Sequence, residues 1–179
     1  MTGLQTDVVT WDREDLGDHR DDVLAVYAEA MQVPRAVARS RRPIITSHLE
    51  RRGLRAVAGL DGERIVGVAY GYLGAPGQWW HDQVRAALSA DQAERWLTGA
   101  FEVCELHVRP GAQGRGLGRR LLDALLSDTS AKTAVLTTPD AETRARGFYR
   151  AGGWVDLAGQ VAFPGDARAF AVLAKDVHA

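Results

Sequence analysis

The sequence contains one cysteine, Cys104, and only two lysines, Lys132 and Lys175, among its 22 basic residues. A lone cysteine excludes an internal disulfide and a cysteine-rich zinc cluster, and it favours a reducing compartment. The formal net charge of −1 gives no overall field that would draw the chain to DNA or to an anionic membrane. The chain also lacks a secretory signal and the run of about 20 apolar residues that a membrane-spanning helix needs. These absences predict a cytoplasmic protein without nucleic-acid or membrane partners.

The length of 179 residues predicts one domain over 1–179, and a composition of 46% hydrophobic and 25% charged residues is typical of globular proteins. The acidic stretch 12–22 is interpreted as a turn. Alternating or continuous apolar residues predict strands at 6–11, 54–60, 65–73, 101–108, 134–138, 154–163 and 169–177. Helical spacing predicts helices at 23–31, 43–52, 81–97, 118–126 and 142–151.

This order of elements predicts an α+β or mixed α/β fold. The strands at each end of the chain are expected to pair antiparallel, while the central strand, turn, helix and strand form a parallel crossover. The helical segment at about 79–98 is interpreted as an insertion between the hairpin at 54–73 and the strand at 101–108.

A glycine-rich turn from Gln113 to Gly118 lies between a strand that ends at Val108 and a helix that begins near Gly116 to Gly118. Unpaired N–H groups at a helix start, approached closely over glycines, favour a phosphate or pyrophosphate. A Walker loop is excluded because no Lys-Ser/Thr follows Gly118, and a dinucleotide fingerprint is excluded because Arg119 stands where its third glycine belongs. The alternative is a turn whose glycines serve only its shape.

The segment from Glu105 to Pro110, followed by Gln113-Gly114-Arg115-Gly116-Leu117-Gly118, resembles motif A of the GCN5-related N-acetyltransferases, the GNAT superfamily. The resemblance implies a GNAT-like fold with a mostly antiparallel, twisted sheet of about six to seven strands, one splayed parallel pair and flanking helices. It also implies acetyl-CoA as cosubstrate. The implied coenzyme-binding residues are Leu106, His107, Val108, Gln113, Gly114, Arg115, Gly116, Leu117, Gly118, Arg119 and Tyr149.

A second segment, Ala145 to Trp154, resembles the later signature of the same family. The resemblance implies that Tyr149 is the general acid that protonates the departing thiolate, and a phenol with a pKa of about 10 is suited to give a proton. The alternative is a tyrosine that packs beside Phe148. Glu142 stands where the family often has asparagine, so no coenzyme contact is assigned to it, and it is expected to lie in the first turn of its helix.

The prediction for the acceptor-binding side of the site depends on individual side chains rather than on a motif. Strand alternation places Glu105 and His107 on one face, and Glu105 is expected to act as a base or base relay. An ion pair between Glu105 and an arginine is the alternative, and His107 is interpreted as structural. Trp79, Trp80 and Tyr27 are proposed to bind the acceptor, although adjacent tryptophans also pack inserted helices.

Together these features predict an N-acetyltransferase that moves an acetyl group from acetyl-CoA to a primary amine by direct attack. The acceptor is expected to be a small-molecule amine or a peptide, and the protein a monomer or homodimer. The alternatives are a non-catalytic acyl-CoA sensor and a protein acetyltransferase acting on lysines or N-termini. Cys104 is expected to be a small core residue. No metal site is expected, because the five histidines are scattered along the chain.

Overall fold

A computed structural model describes residues 6–178, and its main feature is a seven-stranded sheet. The strands are β1 Asp7–Trp11, β2 Arg55–Asp61, β3 Arg64–Leu73, β4 Phe101–Val108, β5 Thr133–Pro139, β6 Val155–Ala162 and β7 Ala169–Asp176. The helices are α1 Arg13–Asp18, α2 Arg20–Met31, α3 Arg35–Arg39, α4 Arg42–His48, α5 Trp79–Ala87, α6 Ala90–Leu97, α7 Leu117–Ser127 and α8 Arg144–Ala151.

The sheet is mixed and mostly antiparallel, in the order β1-β2-β3-β4-β5-β7-β6. Antiparallel pairs form between β1 and β2, β2 and β3, β5 and β7, and β6 and β7. β4 and β5 are parallel and pair at Phe101↔Ala134 and Glu102↔Val135. The predicted fold class, with seven strands, one parallel pair and flanking helices, is therefore confirmed.

Residue contacts divide the chain into two compact units. The first unit comprises the residues up to Tyr72 together with Val103–Thr129, and the second comprises Leu73–Glu102 and the residues from Ser130 onward. The prediction of one domain over 1–179 remains a prediction.

Within the first unit, helices cover both faces of β2 and β3. Leu16 of α1 and Val26 of α2 are fully buried in the core that these helices share with Val68 and Tyr70 of β3. On the opposite face, α7 buries a row of leucines. Because both faces are covered, β2 and β3 consist mainly of apolar residues rather than alternating ones.

Within the second unit, the predicted helical insertion consists of two helices, α5 and α6, rather than one helix over 81–97. The helical path ends at Leu88, whose backbone is extended, with φ −104° and ψ 156°. Ser89 then caps α6, because its side chain accepts a hydrogen bond from the N–H of Gln92 while the Gln92 side chain accepts one from the Ser89 N–H. Val84 and Leu97 bury the two helices in the core of this unit.

Two other local predictions are wrong, and one helix was missed. The acidic stretch 12–22 is mostly helical, because the side chain of Asp12 caps α1 through the N–H of Asp15 at 2.9 Å. Helix α3, Arg35–Arg39, was not predicted. Helix α8 starts at Arg144 rather than at 142, with Thr143 as its cap, so Glu142 precedes the helix instead of lying in its first turn.

Candidate functional site

The glycine-rich turn connects β4 to α7, as predicted. After Val108 the chain forms a short 3₁₀ turn, Pro110–Ala112, and then passes through Gly114 and Gly116, whose φ values are 76° and 78°. This left-handed conformation costs residues with a side chain about 1–2 kcal/mol, so glycine is favoured at both positions. Gly116 is the N-cap of α7, and a Cβ built on it would have no atom within 4 Å. The backbone at this helix start is therefore open to a ligand.

The side chain of Gln113 connects the turn to the strand before it. Its Nε2 donates a hydrogen bond of 2.8 Å to the carbonyl oxygen of Val108, the last residue of β4. Gln113 was predicted from the family motif to bind the coenzyme, and in this structure its amide holds the turn against the strand. The contact fixes the distance between the open helix start and the end of β4.

The side chain of Leu117 is buried, although the turn around it is exposed. Cβ atoms built on Gly59 and Gly67 would lie 3.0 Å and 3.2 Å from its δ-methyl groups, so these two strand glycines admit the start of α7. Only the backbone N–H of Leu117 is therefore available to a ligand. The sequence signal that was missed is a glycine inside each of two apolar strands, which marks close approach of another element.

The three arginines around the turn differ in their surroundings. Arg115 is exposed, Arg119 is half-buried, and Nη2 of Arg120 donates to the carbonyl oxygen of Thr6 at 2.8 Å. Three cations at the positive end of a helix are unfavourable unless an anion binds there. The turn therefore combines open N–H donors with local positive charge.

The polar face of β4 carries the predicted pair Glu105 and His107, and the two side chains are in contact. Nε2 of His107 lies 2.5 Å from Oε2 of Glu105, which confirms that both residues share one face of the strand. The other carboxylate oxygen, Oε1, accepts a hydrogen bond of 2.6 Å from Nη2 of Arg41. The side chain of Glu105 is only 13% exposed. Glu105 therefore takes part in the ion pair that had been set out as the alternative to a base.

The pKa of Glu105 lies below its ordinary value. Burial is the largest single influence and raises this pKa, but the hydrogen bond and charge of His107, together with those of Arg41, outweigh it. Glu105 is therefore held as a carboxylate with both oxygens engaged.

Tyr27 of α2 belongs to the same cluster. Its ring meets the His107 imidazole edge-on at a centroid distance of 5.1 Å, and the guanidinium carbon of Arg41 lies 4.6 Å from its ring centroid. The structure therefore brings Tyr27, Glu105 and His107 together within the first unit. Arg41 was missed, because nothing in the local sequence distinguishes it from the other arginines between 35 and 42.

A second histidine, His48, lies beside this cluster. Its Nδ1 is 3.1 Å from the hydroxyl oxygen of Tyr70. Burial lowers the pKa of His48 to about 4, although the charge of Glu105 opposes the shift. Burial also raises the pKa of Tyr70 well above its ordinary range. Both side chains are therefore uncharged near neutral pH.

Tyr149 lies on α8, in the second unit. Its ring is half-buried and contacts Phe148 and Trp154 at centroid distances of 5.2 Å and 5.6 Å. The packing beside Phe148 that was set out as an alternative is present. Both of these aromatic contacts involve the ring of Tyr149.

Trp79 and Trp80 begin α5 in the second unit and have different environments. Trp79 is 54% exposed, and its ring lies 5.9 Å from that of Phe163. Trp80 is half-buried, and its Nε1 donates to Oγ1 of Thr137 at 3.3 Å. Trp80 therefore helps to hold the helix, whereas Trp79 offers its ring to solvent.

Cys104 is half-buried and packs against the core of the first unit, as predicted. Among residues 6–178, no three His, Cys, Asp or Glu side chains form a group that could hold a metal ion. No helix in that range has the length and apolar character needed to cross a membrane.

Known proteins resemble this chain in sequence and in architecture. The model of the acetyltransferase (GNAT) family matches residues 20–153. The GCN5-like protein acetyltransferase Rv2170 of Mycobacterium tuberculosis is 38% identical over 184 residues, a match that covers 86% of this chain and 89% of that protein.

Two solved structures show the same fold. A GNAT-family protein from Desulfovibrio desulfuricans has a TM-score of 0.69 at 19% identity and covers 96% of this chain and 99% of its own. The Salmonella typhimurium protein yncA, solved with its cofactor acetyl-CoA, has a TM-score of 0.63 at 14% identity, with coverages of 98% and 95%.

Proposed function

Because this chain belongs to the GNAT acetyltransferase family, we propose that it transfers an acetyl group from acetyl-CoA to a primary amine by direct attack. The observation that carries the proposal is the open helix start at Gly116. The N–H groups of Leu117 and Gly118 are the first donors of α7 and have no residue four positions earlier in the helix to accept from them. The direction of these N–H groups, the helix dipole and the arginines around the turn all favour binding of the coenzyme pyrophosphate.

The strand before the turn supports the pantetheine part of the proposal. Among the described residues, the parallel pairing of β4 is limited to Phe101 and Glu102. We therefore assign the backbone groups of Leu106, His107 and Val108 to the pantetheine amides, which would bind as an added strand does.

The chemistry consists of one bond exchange. The neutral amine attacks the thioester carbon, a C–N bond forms, the C–S bond breaks, and Tyr149 protonates the departing thiolate. Replacing Tyr149 by Phe preserves the ring contacts with Phe148 and Trp154 and removes only the hydroxyl. We expect kcat to fall about 10²–10⁴-fold and the Kd of acetyl-CoA to stay unchanged in calorimetry. Full turnover by Y149F would remove the assigned role.

Calorimetric titration of acetyl-CoA, combined with detection of free thiol across amines, amino acids, aminoglycosides and peptides, tests the whole proposal. Binding with thiol release, and a mass increase of the acceptor by one acetyl group, is the expected result. Failure to bind the coenzyme would contradict the proposal outright. Binding without thiol release from any acceptor would instead identify an acyl-CoA sensor.

A protein acceptor is the second candidate, favoured by the 38% identity to a protein that is named a protein acetyltransferase. In that case the amine is a lysine side chain or an N-terminus, and Trp79 is proposed to contact the acceptor from its exposed position. Mass spectrometry of a mixture of folded proteins and small amines, incubated with acetyl-CoA, distinguishes the two acceptor classes. The proposed location is cytoplasmic, supported by the single cysteine.

A further inference from the structure

The carboxylate expected to act as base is poorly suited to accept a proton in this structure. Both oxygens of Glu105 accept charge-assisted hydrogen bonds, Oε1 from Arg41 at 2.6 Å and Oε2 from His107 at 2.5 Å. Each oxygen keeps a further lone pair, but protonating the carboxylate would remove the negative charge that strengthens both hydrogen bonds. A general base needs a proton affinity that suits the working pH. Glu105 does not meet this condition, because its contacts with His107 and Arg41 lower its pKa.

The neutral imidazole of His107 has a lone pair that takes no part in the contact with Glu105. A carboxylate can only accept a hydrogen bond, so the contact at Nε2 places the ring proton on Nε2 and leaves Nδ1 with its lone pair when the imidazole is neutral. No residue in the described part of the chain is hydrogen-bonded to Nδ1. The side chain is 14% exposed, so solvent or a small group reaches it.

The ring of His107 is also held in one orientation. The edge of Tyr27 packs against it at 5.1 Å, and Arg41 contacts both Tyr27 and the carboxylate that binds Nε2. The groups that face His107 are therefore Glu105 from its own strand, Tyr27 from α2 and Arg41 from the residue before α4. His48 and Tyr70 lie beyond Glu105 and are uncharged near neutral pH.

His107 also has a suitable place along the chain. It stands between Leu106 and Val108, whose backbone groups are assigned to the pantetheine, and Gln113 ties the coenzyme turn to Val108. A proton acceptor on this strand is one residue away from groups proposed to bind the acyl donor. His48 is the other histidine near the cluster, but its Nδ1 is engaged with Tyr70.

We propose that His107 is the general base of the transfer and that Glu105 and Arg41 are positioning residues, an inference that rests on the proposed function. Nδ1 takes a proton from the acceptor ammonium, R–NH₃⁺, which leaves R–NH₂ with a lone pair. The lone pair forms the C–N bond to the acetyl carbon and the C–S electron pair leaves with sulfur. The second nitrogen proton is released as the amide forms, and it balances the proton that Tyr149 gives to the thiolate. The proton on Nδ1 passes to solvent.

The decisive measurement is the pH dependence of kcat/KM with acetyl-CoA and a peptide whose one free amine is a lysine side chain. H107Q is expected to lower kcat/KM about 10²–10⁴-fold at neutral pH and to remove the acidic limb of the unmodified protein, leaving only the rise with pH that comes from deprotonation of the acceptor amine. The deficit should shrink as the pH approaches about 10, where the free amine deprotonates in solution. The Kd of acetyl-CoA should not change.

Two further variants separate base from positioning residue. E105Q is expected to lose less activity than H107Q, because it keeps the imidazole that accepts the proton and changes only a group that orients it. H48Q is the matched histidine control, since an uncharged side chain contributes no ionisation in this range. Its acidic limb should coincide with that of the unmodified protein. An acidic limb that survives in H107Q and disappears in E105Q would overturn the proposal and make Glu105 the base.

Histidine ¹⁵N NMR provides a readout that needs no turnover. The His107 signals, assigned by their loss in H107Q, should show a proton on Nε2 at high pH and gain one on Nδ1 as the pH falls. A proton on Nδ1 at high pH would contradict the inference. If the unmodified protein binds acetyl-CoA but releases no thiol with any acceptor, the proposed function fails, and the role of His107 as base fails with it. The NMR result then decides only whether the Nδ1 lone pair is present.

Discussion

The hydrogen bond between His81 and Glu102 allows a quantitative test of how the inserted helices are held. Nδ1 of His81 lies 2.9 Å from Oε1 of Glu102, and the side chains are only 3% and 2% exposed. Glu102 is the second residue of β4, and His81 follows Trp80 in α5. A Cβ on Gly74 would lie 2.1 Å from the same Oε1, so this glycine leaves the space that the carboxyl group fills.

Replacing His81 by Leu keeps a side chain of similar size and removes the donor. Burial lowers the pKa of His81, so the hydrogen bond joins a neutral imidazole to the Glu102 carboxyl group. Removing one partner of a buried hydrogen bond costs about 1–3 kcal/mol. Natural domains are stable by about 5–15 kcal/mol, so H81L should lose a substantial part of the free energy of unfolding. For a chain of this size the loss corresponds to a fall in Tm of about 2–12 °C.

Urea unfolding of the unmodified protein, H81L, E102Q and the double variant measures this energy. E102Q should cost less than H81L, since an amide oxygen still accepts the hydrogen bond and carries no charge. The double variant should lose less than the two single losses added together, by about 0.5–3 kcal/mol. A loss below about 1 kcal/mol in H81L, with an unchanged m-value, would refute the view that this buried hydrogen bond anchors α5.

Two other predictions concern the coenzyme turn and the acid stability of the second unit. G116A should weaken acetyl-CoA binding in calorimetry, because alanine disfavours the φ of 78° at this position by about 1–2 kcal/mol. G111A is the control, because a Cβ at Gly111 also has free space and the backbone there has no positive φ. It should bind acetyl-CoA like the unmodified protein. In the second unit, hydrogen bonds from the backbone of Gln160, and then from Arg146, lower the pKa of Asp140. The stability that Asp140 contributes is present above its ordinary pKa of 3.8 and is lost as the pH falls through the lowered pKa of the folded state. D140N should therefore lower the unfolding midpoint at pH 7 and have little effect at the lowest pH.

The coenzyme turn was predictable because its conformation depends on residues that are close together in the sequence. The glycines, the strand that ends at Val108 and the helix that follows lie within one short stretch, and left-handed φ values occur at Gly114 and Gly116. The bounds of β4 also agree with the prediction, residue for residue. Where a few neighbouring residues determine the backbone, the sequence alone is a sufficient guide.

Two errors in helix prediction arose from capping signals that were present in the sequence. Asp12 and Asp15 form a capping box that starts α1, and Ser89 and Gln92 form one that starts α6. Hydrophobic periodicity does not detect either capping box, because α1 is short and acidic and because the apolar spacing continues across Leu88. A search for Ser, Thr or Asp followed three residues later by an acid or amide would have found both.

The surroundings of Glu105 could not be predicted, because its partner is 64 residues away. Alternation along β4 was enough to place Glu105 beside His107. It gave no indication that Arg41 would occupy the second carboxylate oxygen, since the run between Arg35 and Arg42 contains several equivalent arginines. Assigning proton transfer to one of two neighbouring side chains therefore required the tertiary structure.

The charges of this cluster explain why a histidine is suited to the proposed role. Glu105 and Arg41 neutralise each other, so with a neutral imidazole the cluster carries no net charge when an ammonium arrives. Transfer of the proton to His107 then moves one positive charge from the acceptor to the imidazole without creating a new one, and the Glu105 carboxylate stabilises it at 2.5 Å from Nε2. If Glu105 were replaced by a neutral amide, the charge of Arg41 would remain uncompensated beside the imidazolium.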